Sequence, residues 1–274
     1  MVWCSFGSGN NPQAVITPTE ELKAAARAAG ADLVGVADLA VFKRERATLP
    51  PDLLEPYTRA AAVAVRLEDP IIDGIQTAPT PDYARHYRAV NTALDRLTAE
   101  LVNWLRARRF AAQAIPASEL ADEPNLLGSL SHRAVARMAG LGWQGKSLLI
   151  VTPQYGPRVR LATVLTDMPL APHLPLKNRC GGCVRCVRAC PAAAIKRVAP
   201  AERYERREDA LQVSRCAEKA SQFKARLDLA ARVCGVCISV CPFGKRRRRS
   251  ESGISLTEPK VSTQPGLGHP AKKE

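Results

Sequence analysis

Eight cysteines between Cys180 and Cys241 constrain this chain more than any other feature. The first four read Cys180-Gly-Gly-Cys183-Val-Arg-Cys186-Val-Arg-Ala-Cys190-Pro191, a C-x2-C-x2-C-x3-C-P run. Two-cluster iron–sulfur proteins use this spacing: three thiolates wrap one cubane and the fourth is carried on to the other. A lone Cys216, then Cys234-Gly-Val-Cys237-Ile-Ser-Val-Cys241-Pro242, repeats the logic with one gap stretched to 18 residues. One [4Fe-4S] cluster is therefore assigned to Cys180, Cys183, Cys186 and Cys241, and the second to Cys190, Cys216, Cys234 and Cys237. Each Cys-Pro stops the local turn, since proline cannot continue a hydrogen-bonded helix. Zinc sites also use C-x2-C pairs but lack this C-x3-C-P punctuation. Disulfide frameworks suit small secreted chains.

Charge is concentrated on the same stretch. Residues 1–171 carry 18 basic and 17 acidic side chains, whereas residues 172–250 carry 19 and 6. A [4Fe-4S] core of charge 2+ with four thiolates is 2−, so two loaded sites leave an excess of about +9 on the segment. Such an excess serves solubility or an acidic partner, either nucleic acid or an acidic electron donor. Arg246-Arg247-Arg248-Arg249 ends this block and by itself reads as a solvated flank. No apolar run approaches the roughly 20 residues that span a bilayer. Near Met1 there is neither a signal peptide nor a twin arginine before an apolar stretch, so a reducing cytoplasm is the expected location.

Taken in order, residues 1–14 read as a flexible N-terminus containing a spare thiol, Cys4. Thr17-Pro18-Thr19-Glu20 is a capping box that opens a helix running to Gly30. Strands are expected at 32–37, 60–66 and 110–115. Val90, Leu94, Leu97, Leu101 and Leu105 mark one face of a long helix over 82–108. Residues 118–125 read as a polar loop, and 129–139 as a short helix. The stretch 147–167 reads as a hairpin, and 205–226 as one helix. These elements predict an α+β protein. An α/β first domain over 15–171 is followed, after a proline-rich hinge at 169–177, by a small two-[4Fe-4S] ferredoxin-like domain over 172–245. A basic, disordered tail is expected over 246–274.

Gly140-Leu-Gly-Trp-Gln-Gly-Lys-Ser147 matches the phosphate-binding G-x4-G-K-S pattern. That loop must follow a strand and open a helix. Here the order is reversed, so nucleotide hydrolysis is set aside.

Three blocks in sequence, Asp82-Tyr-Ala-Arg-His-Tyr87, Ala139-Gly-Leu-Gly-Trp-Gln-Gly-Lys146 and the eight-cysteine segment, resemble the epoxyqueuosine reductase family. That family is a distant relative of the reductive dehalogenases. The resemblance implies a nitroreductase-like first domain that binds a corrinoid, cobalamin, reduced by the two clusters. It places Tyr87, Gly142, Trp143 and Lys146 against that corrinoid. The family's V-D-x-x-P signature, whose aspartate donates the proton, is absent here. Asp122, Glu123 and His132 are the candidates that remain near its position. The implied partners are an electron donor such as ferredoxin or flavodoxin, and tRNA or another acidic partner on the basic segment. Two other functions fit the same residues: an electron-transfer protein that reactivates another enzyme's corrinoid, and a tRNA-binding module.

Overall fold

The computed structural model describes residues 16–45, 50–199 and 202–245. The expected flexible N-terminus with Cys4 and the basic tail from Arg246 onward lie outside the described residues. The elements are α1 (Pro18–Ala28), β1 (Leu33–Asp38), α2 (Leu39–Glu45), β2 (Arg59–Arg66), α3 (Asp69–Asp73), α4 (Pro81–Ala107) and β3 (Ala112–Ile115). They continue with α5 (His132–Met138), β4 (Trp143–Gln144), β5 (Ile150–Val151), β6 (Val159–Thr166), α6 (Arg185–Ala189), α7 (Arg207–Ala210), α8 (Val213–Arg226) and α9 (Val236–Ser239). No helix among the described residues is long and apolar enough to cross a membrane.

Four strands form one sheet in the order β1-β2-β6-β3, antiparallel throughout. β2 is mostly alanine and valine, and residues 60–64 are all buried. Its small side chains admit helices close to both faces. On one face Val36, Ala61, Val63 and Val164 pack against Leu22 and Ala26 of α1 and Leu94, Leu97, Leu101 and Leu105 of α4. On the other, Ala60, Ala62, Ile115 and Leu165 meet Val135 and Met138 of α5. The result is a mixed three-layer α+β architecture, its antiparallel sheet covered on both sides.

The helix signals act as read. Thr17 Oγ1 accepts from the Glu20 amide at 3.3 Å, and Thr80 Oγ1 accepts from the Tyr83 amide at 3.1 Å ahead of Pro81. Two expectations change. The 147–167 hairpin does not form: β5 pairs with β4, while β6 lies between β2 and β3. With both edges of β6 occupied, no edge remains for the stretch before it. The helix expected over 205–226 is broken at Leu211 and Gln212 into α7 and α8, because the Gln212 amide turns to bond the Ala194 carbonyl at 2.9 Å.

The stretch read as a hinge is stitched down. The Val36 amide donates to His173 Nδ1 at 3.1 Å, the His173 amide to the Val36 carbonyl at 2.8 Å, and the Ala171 amide to Thr19 Oγ1 at 2.7 Å. These bonds cover the free edge of β1.

A second tie holds the cysteine-rich part. Arg158, 1% exposed, places Nη1 2.9 Å from Asp69 and Nη2 2.7 Å from Asp73 on α3. The backbones of Gly156 and Gly244 approach so closely that a Cβ on Gly156 would lie 2.3 Å from the Gly244 nitrogen. Removing Arg158 takes a buried charged partner from two mostly buried carboxylates. Arg158→Met should therefore lower stability by about 2–4 kcal/mol in urea denaturation of the iron-loaded protein, whereas exposed Arg85→Met should lie within about 0.5 kcal/mol of wild type.

Candidate iron–sulfur and ligand site

All eight cysteines of 180–241 are free thiols, and all are half-buried. Their mutual influence sorts them into two groups. Burial pushes the Cys186 thiol up to about 11, and Cys180, Cys241 and Cys183 push it the same way. Cys241 is raised chiefly by burial, with Cys180 and Cys183 adding to it. Burial also raises Cys216 and Cys234, the former with help from Cys190 and the latter from Cys216 and Cys190. Cys237 is pushed well above the usual thiol range by burial, then by Cys234 and Cys216, with smaller pushes from Cys186 and Cys190. Cys186 and Cys241 thus feel Cys180 and Cys183, whereas Cys216, Cys234 and Cys237 feel Cys190 and members of their own group, and Cys237 also feels Cys186. A small cavity between them is lined by Cys180, Cys183, Cys186, Cys241 and Cys237.

The donor set fits iron–sulfur clusters. Eight cysteines in a C-x2-C-x2-C-x3-C-P frame with its stretched repeat are the thiolate donors such clusters take. Crowded thiols kept neutral by burial also suit a metal, which takes the place of their protons. Beside Cys180 and Cys241, the buried Trp143 Nε1 has no hydrogen-bond partner, leaving a donor for a sulfur acceptor.

The G-L-G-W-Q-G-K block serves this region. Lys146, 3% exposed, donates from Nζ to the Gly181 carbonyl at 2.6 Å and the Cys183 carbonyl at 2.8 Å. Trp143 is fully buried and edge-on to Phe243, with centroids 4.8 Å apart. Gly142 lies against β5, where a Cβ would sit 2.4 Å from the Val151 carbonyl oxygen. The structure thus puts Gly142, Trp143 and Lys146 behind the first cysteine loop, away from the large cavity described next. The cause is the tight β4–β5 pairing, which turns the block toward residues 180–183.

That large cavity, of about 720 Å³, lies between the two parts of the chain. One wall includes Tyr83, Glu119, His132, Arg133 and Arg160; the other includes Tyr204, Arg207 and Ile238, the neighbour of Cys237. Tyr87 is not in its lining. Its hydroxyl lies 3.5 Å from Ser118 Oγ, and Arg160 stacks 4.3 Å over its ring. Burial pushes the Tyr87 phenol up, but Arg160 and the Ser118 bond outweigh this and leave it below the usual range. Tyr83, one turn earlier, reaches the cavity. Gly235, at φ 78°, has the conformational freedom of glycine and the space a side chain would take: a Cβ there would lie 2.7 Å from the Tyr83 ring. Tyr83 therefore stands between the cavity and Cys234–Cys237, a position that the four-residue spacing of the tyrosines does not reveal.

The proton-donor candidates separate. Asp122 caps a surface turn, accepting from the Asn125 amide at 3.0 Å and its Nδ2 at 2.7 Å, and those bonds lower its pKa. Glu123 is exposed, and neither lines the cavity. His132 does. Its Nε2–H donates to the Pro116 carbonyl at 2.9 Å, so Nδ1 accepts from the Thr163 hydroxyl at 2.9 Å. Both ring nitrogens are engaged, and burial lowers its pKa. Glu119, missed in the sequence because it sits in no motif, lines the cavity and accepts from the Ser129 amide at 3.0 Å.

A family profile for a 4Fe-4S double cluster binding domain matches residues 179–244. Over residues 179–244 the chain is thus similar to iron–sulfur domains of the double-cluster class. Its resemblance to epoxyqueuosine reductases holds across separate comparisons. It is 36% identical to the epoxyqueuosine reductase of Bacillus subtilis over 126 residues, 43% of this chain and 30% of that protein. It is 28% identical to the tetrachloroethene reductive dehalogenase of Sulfurospirillum multivorans over 281 residues, 89% of this chain and 54% of the relative. A crystal structure of epoxyqueuosine reductase with an epoxyqueuosine-modified tRNA-Tyr stem loop shares its fold at a TM-score of 0.57 and 23% identity, over 83% of this chain and 65% of that one. The matched stretches span 30% and 54% of these two curated relatives.

Two outcomes follow. Lys146→Met frees the 181–183 carbonyls, so iron per chain should fall from about eight to about four, while Lys146→Arg should retain most of it. His132 binds its proton less readily when folded than when unfolded. The unfolded chain therefore gains protons first as pH falls, and stability should drop below about pH 6.5. That decline levels off below the folded-state value. In His132→Gln the same denaturation series should lack this component.

Proposed function

We propose that the chain is a corrinoid-dependent iron–sulfur reductase of the epoxyqueuosine reductase type, with a nitroreductase-like part over 15–171 and a ferredoxin-like part over 172–245. The single observation that carries this reading is the large cavity, walled on one side by the sheet-bearing part and on the other by Ile238, next to Cys237. A carrier of electrons needs no such cavity. Its volume falls in the range of small-molecule sites, and its walls alternate leucine and isoleucine with arginine, glutamate and tyrosine. Such a lining suits a large ring with an apolar plane and a polar, amide-bearing rim.

Once bound, cobalamin would supply low-valent cobalt chemistry that no side chain can perform. The chain's own residues do the rest. Cys180, Cys183, Cys186 and Cys241 hold one cluster, and Cys190, Cys216, Cys234 and Cys237 hold the other. Cys186 and Cys237 bring the two sets together, and Tyr83 with Ile238 separates the second set from the cavity. Lys146 and Trp143 fix the first loop. Glu119 is the proton source this reading favours, because it lines the cavity where Asp122 and Glu123 do not. Ferredoxin or flavodoxin is the proposed donor, and the cytoplasm the proposed setting. The substrate class follows the relatives: one solved epoxyqueuosine reductase holds a modified tRNA stem loop, and the basic 172–250 segment suits the same polyanion.

Anaerobic purification, reconstitution and exposure to cobalamin test this. The expected result is about eight irons and one cobalt per chain, with a cobalamin spectrum that changes when the clusters are reduced. Full iron loading without cobalt would reduce the reading to an electron carrier.

A further inference from the structure

Arg133 is the second residue of α5, half-buried in the wall of the large cavity. Among the described residues no carboxylate lies within ion-pair distance of it. Its one recorded hydrogen bond runs from Nη1 to the Leu148 carbonyl at 3.3 Å. Two further cations line the same cavity, Arg160 in its own wall and Arg207 in the opposite one. Arg160 is satisfied by Asn91, Ser118, the Ala117 carbonyl and the Tyr87 ring, whereas Arg207 pairs with Glu208 at 2.7 Å. Arg133 has no comparable set. Burial and both arginines push its pKa down, and Cys216 pushes it up.

A guanidinium stays charged at any ordinary pH. Half-buried and flanked by like charges, it gains from a compensating negative charge nearby. The residue that positions it points to the source. Leu148 is held at φ 62°, a left-handed conformation costly for a residue other than glycine. Its side chain packs in the group that includes Cys190, Cys216 and Cys237, while its carbonyl holds Arg133. The guanidinium is thus fixed on the cavity side of the second cysteine set. With four thiolates and a 2+ core, that set carries 2−, as an uncharged wall would not require.

We infer that Arg133 is the counter-cation of the cluster held by Cys190, Cys216, Cys234 and Cys237, and that it sets that cluster's reduction potential from the cavity side. The inference rests on the cluster assignment made under Proposed function. Reduction adds one electron and one unit of negative charge to this cluster. A fixed neighbouring cation favours the reduced state and raises the potential. The more distant cluster, held by Cys180, Cys183, Cys186 and Cys241, should feel it much less. Arg133 acts here as a positioning residue for charge and touches no reacting atom.

The test is a redox titration followed by electron paramagnetic resonance on the reconstituted full chain, comparing wild type, Arg133→Gln and Arg133→Lys. Removing the charge should make reduction of one cluster roughly tenfold less favourable, about 59 mV downward for a one-electron couple, leaving the other in place. Arg133→Lys, which keeps the charge, should recover most of the shift. If neither potential moves, or both move equally, the inference is overturned. It is overturned too if Arg133→Gln and Arg133→Lys both lose four irons, since Arg133 would then be needed for assembly whatever its charge. Loss of iron in the glutamine variant alone supports it. Iron counts on wild type judge the parent reading separately: fewer than about eight irons sinks the cluster assignment and this inference with it, whereas full loading with unmoved potentials sinks only the role of Arg133.

Discussion

The Arg158 guanidinium, lodged between Asp69 and Asp73, is the contact on which the relation between the two parts depends. Its side chain also forms the surface on which Gly244 rests, so close that a Cβ there would lie 2.7 Å from Nε. One residue at the start of β6 therefore registers α3 and the end of the cysteine-rich part against the central sheet. α3 in turn packs on α9, the short helix that begins one residue before Cys237. Burying this ion pair costs desolvation, and its geometry offsets that cost only with all three partners in place. The large cavity, bounded by β6 on one side and by Ile238 of α9 on the other, depends on this registration.

Within that frame the thiols form a chemically uncomfortable group. Burial raises the pKa values of Cys186, Cys216, Cys234, Cys237 and Cys241, neighbouring thiols add to it, and a thiolate is the form that binds iron. The protein relieves this through backbone contacts more than through charge. The Ala194 amide donates to Cys190 Sγ at 3.4 Å, and Asn178 links the Gln144 carbonyl to the Cys180 amide at 2.9 Å on each side. Among the described residues of 172–245, most lysines and arginines are exposed. Arg133, from the other part of the chain, is held by the carbonyl of Leu148, whose side chain packs among Cys190, Cys216 and Cys237.

Local signals in the sequence led directly to local structure. The Thr17 N-cap and the leucine face of α4 depend on neighbours within a few residues and form as read, although the Glu20 carboxylate bonds Lys23 rather than closing the capping box. What failed depends on distant partners. The stretch before β6 has strand character, but only the full sheet reveals that both edges of β6 are occupied. Lys146 reads as a ligand-facing donor, yet its acceptors are carbonyls 35 and 37 residues further along the chain. Backbone carbonyls have no sequence signature. Tyr83 and Tyr87 share one helix face, and the absence of a side chain at Gly235 decides which of them lies against the second cysteine set.

The stitched stretch around His173 has a consequence for how electrons travel. Proteins that ferry charge on a swinging module need a slack tether, and their transfer rates follow the motion of the arm. Here the link between the two parts serves as an extra edge to β1, bonded at Val36 and Thr19. The separation between sulfur and cavity is thereby constant, as in a wired relay. Under the proposed function, an external donor would have to come to the chain and dock, and the last hop inward would keep one length from one reduction to the next.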